Sequence, residues 1–218
     1  MPELARPRAI VFDWDNTLVD TFPTIHAALN AAQSAMGVEL WTLEEAHQRV
    51  RQSLRDVFPT MFGERWEEAR EIFYRAFEEV HLRELRALPG AEDLLEHVRN
   101  CGIALAVVSN KTGPHLRREA EHLGWSGRFH RVVGANDAAR DKPAPDPVIL
   151  ALDGLGVAPG PEVWFAGDTG IDLECAHRAG CIPVLVRKAC PNSGEFAAYP
   201  PVLHVPDLFD LKALVKPD

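Results

Sequence analysis

From Ala91 onward, apolar residues fall in short unbroken runs separated by stretches of helical spacing. IALAVVS (Ile103 to Ser109), RVVG, VWFAG and IPVLV read as strands. Between them, GPHLRREAEHLG, DPVILALDGLG and GIDLECAHRAG repeat their apolar residues three and four apart, as amphipathic helices do. Gly and Pro mark the connections. This alternation predicts a parallel sheet covered by helices. Ala9 to Phe12 has the same unbroken apolar character and suits the first strand of that sheet, buried on both faces.

Between Thr21 and Leu88 the texture changes. IHAALNAAQSAMG, LEEAHQRVRQSL and WEEAREIFYRAFEEVHLREL carry i, i+3, i+4 spacing, and no strand-like run interrupts them. Leu88-Pro89-Gly90 punctuates the return to the sheet. The expected organisation is an α/β core of residues 1–20 and 88–218, with an all-helical insert of residues 21–87 after the first strand. Asp20-Thr21 and Ala87-Leu88-Pro89 are its hinge regions by position.

The polar residues of interest stand at strand exits, where open α/β sheets bind ligands. The first predicted strand runs into Asp13-Trp14-Asp15-Asn16-Thr17, the IALAVVS strand into Ser109-Asn110, and VWFAG into Asp168 and Asp172, while Lys142 sits in the Pro-rich RDKPAPDP. Each has an ordinary role when taken alone. The aspartates form turns, Ser109, Asn110 or Asp168 cap helices, and Lys142 is solvated. Independent turn-formers have no reason to gather on one edge of one sheet.

DWDNTLVD, VVSN, KPAPDP and GDTGID, in this order, resemble the four motifs of the haloacid dehalogenase-like hydrolase superfamily. LVDTFPTIHAALN, LPGAEDLL, SNKT and KPAPDPVI are similar to its phosphoglycolate phosphatase-like members. The resemblance implies a doubly wound parallel-sheet core with an all-helical cap inserted after the first strand. It also implies hydrolysis of a small phosphomonoester. Asp13 would be the nucleophile and Asp15 the acid and base, an assignment that the residues by themselves leave open. Mg²⁺ would be held by the Asp13 and Asp168 side chains and the Asp15 carbonyl, with support from Asp172. Thr17, Ser109, the Asn110 amide and Lys142 would bind phosphoryl oxygens. The family commonly has Gly at position 16; Asn is the side-chain-bearing residue that best tolerates left-handed backbone.

Two family chemistries fail on composition. No lysine lies between Thr21 and Leu88, which excludes a Schiff base from the cap, and the presence of Asp15 separates the chain from the carbon–halogen hydrolases. A phosphohexose mutase is the alternative on the same fold, with His26 near the position of a mutase cap histidine. Arg49, Arg51, Gln52, Ser53 and Arg55 match the cap's substrate-facing stretch, or decorate a solvated helix face.

Charge narrows the partners. The 218-residue chain has a formal net charge of −9, with 46% hydrophobic and 25% charged residues. An acidic globular chain lacks the positive footprint for nucleic acid or an anionic membrane, but a bound cation would still admit a phosphate. The apolar run after Arg6 and Arg8 ends at Asp13, too soon for a secretion signal. Cys101, Cys175, Cys181 and Cys190 form no C-x-x-C pair, so reduced thiols and a cytoplasmic location are expected. Trp41, Trp66 and Trp125 are core or interface residues, and monomer and homodimer both stay open.

Overall fold

The computed structural model describes residues 4–49 and 54–217. In it the run Ala9–Phe12 forms β1, with all four side chains fully buried. Five more strands lie parallel to it: β4 (Ala104–Thr112), β5 (Arg131–Ala135), β6 (Val163–Gly167), β7 (Ile182–Val186) and β8 (Leu203–Val205), in the order β5-β4-β1-β6-β7-β8. The chain builds outward from β1 through β4 to β5, then crosses back to place β6 on the other side of β1. That reversal is the topological switch point of a doubly wound sheet. Phe12 pairs with Val107 on one side and Ala166 on the other, so β1 and β6 end within one residue of each other while β4 runs on to Thr112.

Successive side chains of a strand point to opposite faces. Ala9 and Val11 join Ala106, Val108, Val133 and Phe165 in a core completed by α7 (Asp146–Leu152) and α8 (Gly170–Arg178). α5 (Ala91–Asn100) packs on β4 and on α9 (Leu208–Leu214), and α6 (Gly113–His122) follows directly from β4 and packs against β4 and β5. Trp125 is buried in this unit. Cys101, Cys175 and Cys181 are buried free thiols and Cys190 is exposed; burial holds the Cys175 thiol up at about 12.

A second unit spans Asp20–Arg86. It holds α1 (Phe22–Met36), α2 (Leu43–Arg49), α3 (Leu54–Phe62), a 3-10 turn at Gly63–Arg65, and α4 (Trp66–Glu84). Its own core is Ala28, Leu29, Ala32, Phe58, Ala69 and Phe73, against which Trp41 and Trp66 pack partly buried. Arg51, Gln52 and Ser53 lie outside the described residues, as do the side chains of Arg49 and Arg55.

Three strands depart from the sequence expectation. β2 (Val19–Asp20) and β3 (Arg86–Ala87) pair with each other, and β3 falls inside the stretch expected to hold only helix. β8 extends the sheet beyond the last expected strand. Elements of two or three residues are too short to register as a period. Among the described residues no helix is long and apolar enough to cross a membrane.

Two glycines set how closely the helices approach the sheet edge. A Cβ on Gly134 of β5 would stand 2.5 Å from Gly113 Cα and 2.7 Å from the Lys111 carbonyl, both backbone; one on Gly167 would stand 2.4 Å from Asp172 Cβ. Gly134→Ala and Gly167→Ala are each expected to cost about 1–3 kcal/mol in urea unfolding. A change within about 0.5 kcal/mol, as at an ordinary surface site, would contradict this packing.

Candidate active site

Asp13 is the first residue past β1, and its N–H donates to the Ala166 carbonyl at 2.8 Å, extending the ladder onto β6 by one step. Trp14 turns inward and is fully buried, edge-on to Trp125 with ring centroids 5.7 Å apart, between a buried Asp13 and a partly exposed Asp15. The Trp14 carbonyl accepts from the amides of Leu18 (3.0 Å) and Val19 (3.1 Å), closing a tight loop. Asn16 sits in that loop at φ 57°, the left-handed region its side chain tolerates. Thr17 is fully buried; its Oγ1 donates to Asp13 Oδ2 at 3.3 Å and lies 3.5 Å from Asp168 Oδ1.

Lys142 is buried and donates through Nζ to Asp13 Oδ1 at 2.6 Å and to Asp172 Oδ1 at 2.7 Å. Asp172 is buried too, and its second oxygen accepts from Thr169 N (3.0 Å) and Thr169 Oγ1 (2.7 Å), the capping box of α8. One carboxylate thus starts a helix and holds the lysine. Oxygens of Asp13, Asp168 and Asp172 all lie within 4.8 Å of one another.

Burial governs the titration, and the crowding of charges adds to it. Burial pushes the Asp168 carboxyl up to about 8, and the charges of Asp13 and Asp172 add to it. Asp13 is raised as well, first by burial, against the partial relief of Lys142, and then by Asp172 and Asp15. For Lys142, burial alone would lower the pKa, but the Asp13 and Asp172 carboxylates outweigh it and keep the ammonium charged.

Ser109 is buried within β4, three residues before its end, and its Oγ accepts from the Lys111 amide at 3.1 Å. The Asn110 side chain takes a different part: its Nδ2 donates to the Lys142 carbonyl at 3.1 Å and braces that loop. All the sequence-derived core candidates therefore come to one sheet edge, with Asp15 held apart from the acidic cluster. Asp15 Oδ1 accepts from Lys111 Nζ at 2.6 Å, and the same ammonium donates to Glu119 Oε2 at 2.6 Å. Burial pulls the Lys111 pKa down, yet Asp15 and Glu119 together lift it above the ordinary lysine value.

Sequence reasoning missed Lys111 and Glu119. A signal was present: in α6 Glu119 occupies the stripe marked by Leu116 and Ala120, where an apolar residue is expected. His26 of α1 stays within its own unit, with Nε2 2.7 Å from the Trp41 carbonyl and 3.1 Å from Asn30 Nδ2.

Comparison with known proteins agrees with this geometry. The family model of the haloacid dehalogenase-like hydrolases matches residues 10–186. A phosphoglycolate phosphatase of Xanthomonas campestris pv. campestris is 30% identical over 178 residues, covering 80% of each chain. A solved hydrolase of the superfamily from Ehrlichia chaffeensis is 28% identical with a TM-score of 0.67, covering 97% of both chains. A haloacid dehalogenase-like family hydrolase from Streptococcus pneumoniae, 22% identical, shares the fold at a TM-score of 0.81 over 96% of this chain and 99% of its own. With the family model spanning most of its length, the chain belongs to the haloacid dehalogenase-like hydrolases, among their phosphoglycolate phosphatase-like members, and is an enzyme.

Proposed function

We propose that this enzyme is a Mg²⁺-dependent phosphatase of a small phosphorylated metabolite, with a phosphoglycolate-like ester as its substrate, and that it works through an aspartyl-phosphate on Asp13. The observation that carries the reading is the cluster of Asp13, Asp168 and Asp172 around the Lys142 ammonium. One ammonium faces three crowded carboxyl groups, and burial first, then their mutual repulsion, raises the pKa values of Asp13 and Asp168. A hard divalent cation on oxygen ligands fits such a donor set. Asp13 and Asp168 would hold it, with the Asp15 carbonyl, and Asp172 would support it from behind. When bound, Mg²⁺ neutralises phosphoryl charge and holds the ester in line.

The residues divide the remaining work. A carboxylate oxygen of Asp13 attacks phosphorus and the bond to the ester oxygen breaks; Asp15 gives its proton to that oxygen as it leaves. Asp15, now a carboxylate, takes a proton from a water, whose oxygen attacks phosphorus and frees Asp13 and inorganic phosphate. Ser109 keeps its O–H to donate to a phosphoryl oxygen because its Oγ accepts from the Lys111 amide. Lys142, Thr17 and the Asn110 amide would bind the other oxygens. The helical unit would act as the cap that excludes water during both steps, because the chain departs for it at β2, just after the loop of Asp13 to Thr17, and returns at β3.

The mutase alternative gains nothing from His26, whose ring is engaged by Trp41 and Asn30. A partner that is neither nucleic acid nor membrane accords with the net charge of −9, and free cysteines accord with a cytoplasmic location.

With Mg²⁺, release of phosphate from phosphoglycolate and from p-nitrophenyl phosphate is expected, EDTA should abolish it, and excess Mg²⁺ should restore it. EDTA-insensitive turnover would contradict the metal. Asp13→Asn should lose kcat on the order of a thousandfold or more with its unfolding midpoint retained; full activity in that variant would sink the nucleophile.

A further inference from the structure

A second set of charges lies beside the acidic cluster, and the steps above give it no part. Lys111 and Glu119 have side chains only 8% and 1% exposed, whereas that of Asp15 is 33% exposed. The contacts form a chain. The Trp14 indole N–H donates to Glu119 Oε2 at 2.7 Å, Lys111 Nζ donates to the same oxygen at 2.6 Å, and Lys111 Nζ also donates to Asp15 Oδ1 at 2.6 Å. Trp14 is itself wedged edge-on between Trp125 and Phe129.

For stability alone, this is a poor use of the position. Taking a carboxylate and an ammonium out of water costs several kcal/mol each, and an apolar pair of the same volume would commonly do as well or better. As a positioning device it has a clear logic. A lysine on its own is a flexible stem with a mobile charge, but Glu119, fixed by the indole, determines where the Lys111 ammonium rests. The ammonium then grips one oxygen of Asp15, while the Asp15 side chain as a whole stays a third open to solvent.

We propose that Lys111, anchored by Glu119 and Trp14, is a positioning residue for proton transfer, holding Asp15 by Oδ1 so that Oδ2 meets the leaving-group oxygen. This rests on the phosphatase reading with Asp15 as acid and base. Lys111 touches no reacting atom in this scheme; it acts through Asp15.

The test exploits leaving groups that need the proton to different degrees. p-Nitrophenolate departs readily unprotonated, whereas phenolate depends more on an acid, and the two esters are nearly the same size. kcat and KM are measured with Mg²⁺ for phenyl phosphate and p-nitrophenyl phosphate in the wild type, Lys111→Met, Glu119→Gln and Trp14→Phe. Misplacing an acid can cost on the order of a hundredfold. In Lys111→Met, kcat/KM should therefore fall at least about tenfold for phenyl phosphate and markedly less for p-nitrophenyl phosphate. Glu119→Gln and Trp14→Phe should show the same selectivity more weakly, and Lys111→Arg should restore part of the loss. Should Lys111→Met fail to fold, the near-isosteric Glu119→Gln decides the question by the same ratio. Equal losses on both esters, a change in KM alone, or no loss would overturn the positioning role while leaving the phosphatase intact. A wild type silent on both esters would overturn the phosphatase reading and this inference together.

Discussion

Three carboxylates stand at the end of one parallel sheet, and the Lys142 ammonium is what allows them to. Without it, Asp13 and Asp172 would be buried anions facing each other across a short gap, a loss of several kcal/mol that a domain of this size does not absorb easily. With it, each gives one oxygen to the ammonium at 2.6–2.7 Å, and the Phe165 ring 5.8 Å from Nζ adds a favourable face. Much of the surrounding structure serves to hold this one cation. Asn110 braces the Lys142 carbonyl, Thr169 fixes the far oxygen of Asp172, and Gly167 leaves room for the Asp172 side chain. The compensation is incomplete: one ammonium serves three carboxyl groups, an oxygen-rich donor set that a divalent cation would complete.

The sheet decides where these charges can meet. β1 pairs in parallel with β6 and ends within one residue of it, so the residues that follow β1 and β6 emerge side by side. The loop after β1 then separates its acids: Asp13 faces Lys142, Asp15 faces Lys111, and Trp14 between them is fully buried. Trp14 is therefore more than a spacer between two acids. It buries a large ring against Trp125 and Phe129, which pins the loop, and its indole N–H reaches into the polar network around Asp15.

The strand-exit positions of Asp13 and Asp168 were legible in the sequence because long apolar runs define strand ends well, whereas Ser109 lies inside β4, which continues to Thr112 through polar residues that no apolar run marks. Lys142 was legible only through the motif resemblance, since nothing local distinguishes it from a solvated lysine. Partnerships across long separations were not legible. Glu119 meets Trp14 across 105 residues and Lys111 meets Asp15 across 96, and no local period encodes such a contact. The double duty of Asp172 was hidden for the same reason, because its capping role is local to α8 while its grip on Lys142 depends on a loop 30 residues away. β2, β3 and β8 were missed because strands of two or three residues draw their stability from pairing, not from a pattern of their own.

Read from residue types alone, the two aspartates of the first motif are interchangeable; their surroundings separate them. Asp13 is 6% exposed and shares its cation with a second buried carboxylate, close enough to Asp168 for both to contact one ion. That is the setting for a group that must stay aimed at phosphorus amid strong charge. Asp15 is a third exposed at its side chain and has an ammonium of its own, which it shares with Glu119 and not with the acidic cluster. That suits a group which exchanges a proton twice per turnover and must reach the leaving oxygen from outside the cluster. Two lysines, two buried carboxylate partners and one inward tryptophan thus place two identical side chains in different electrostatic settings, a division that supports Asp13 as nucleophile and Asp15 as acid and base.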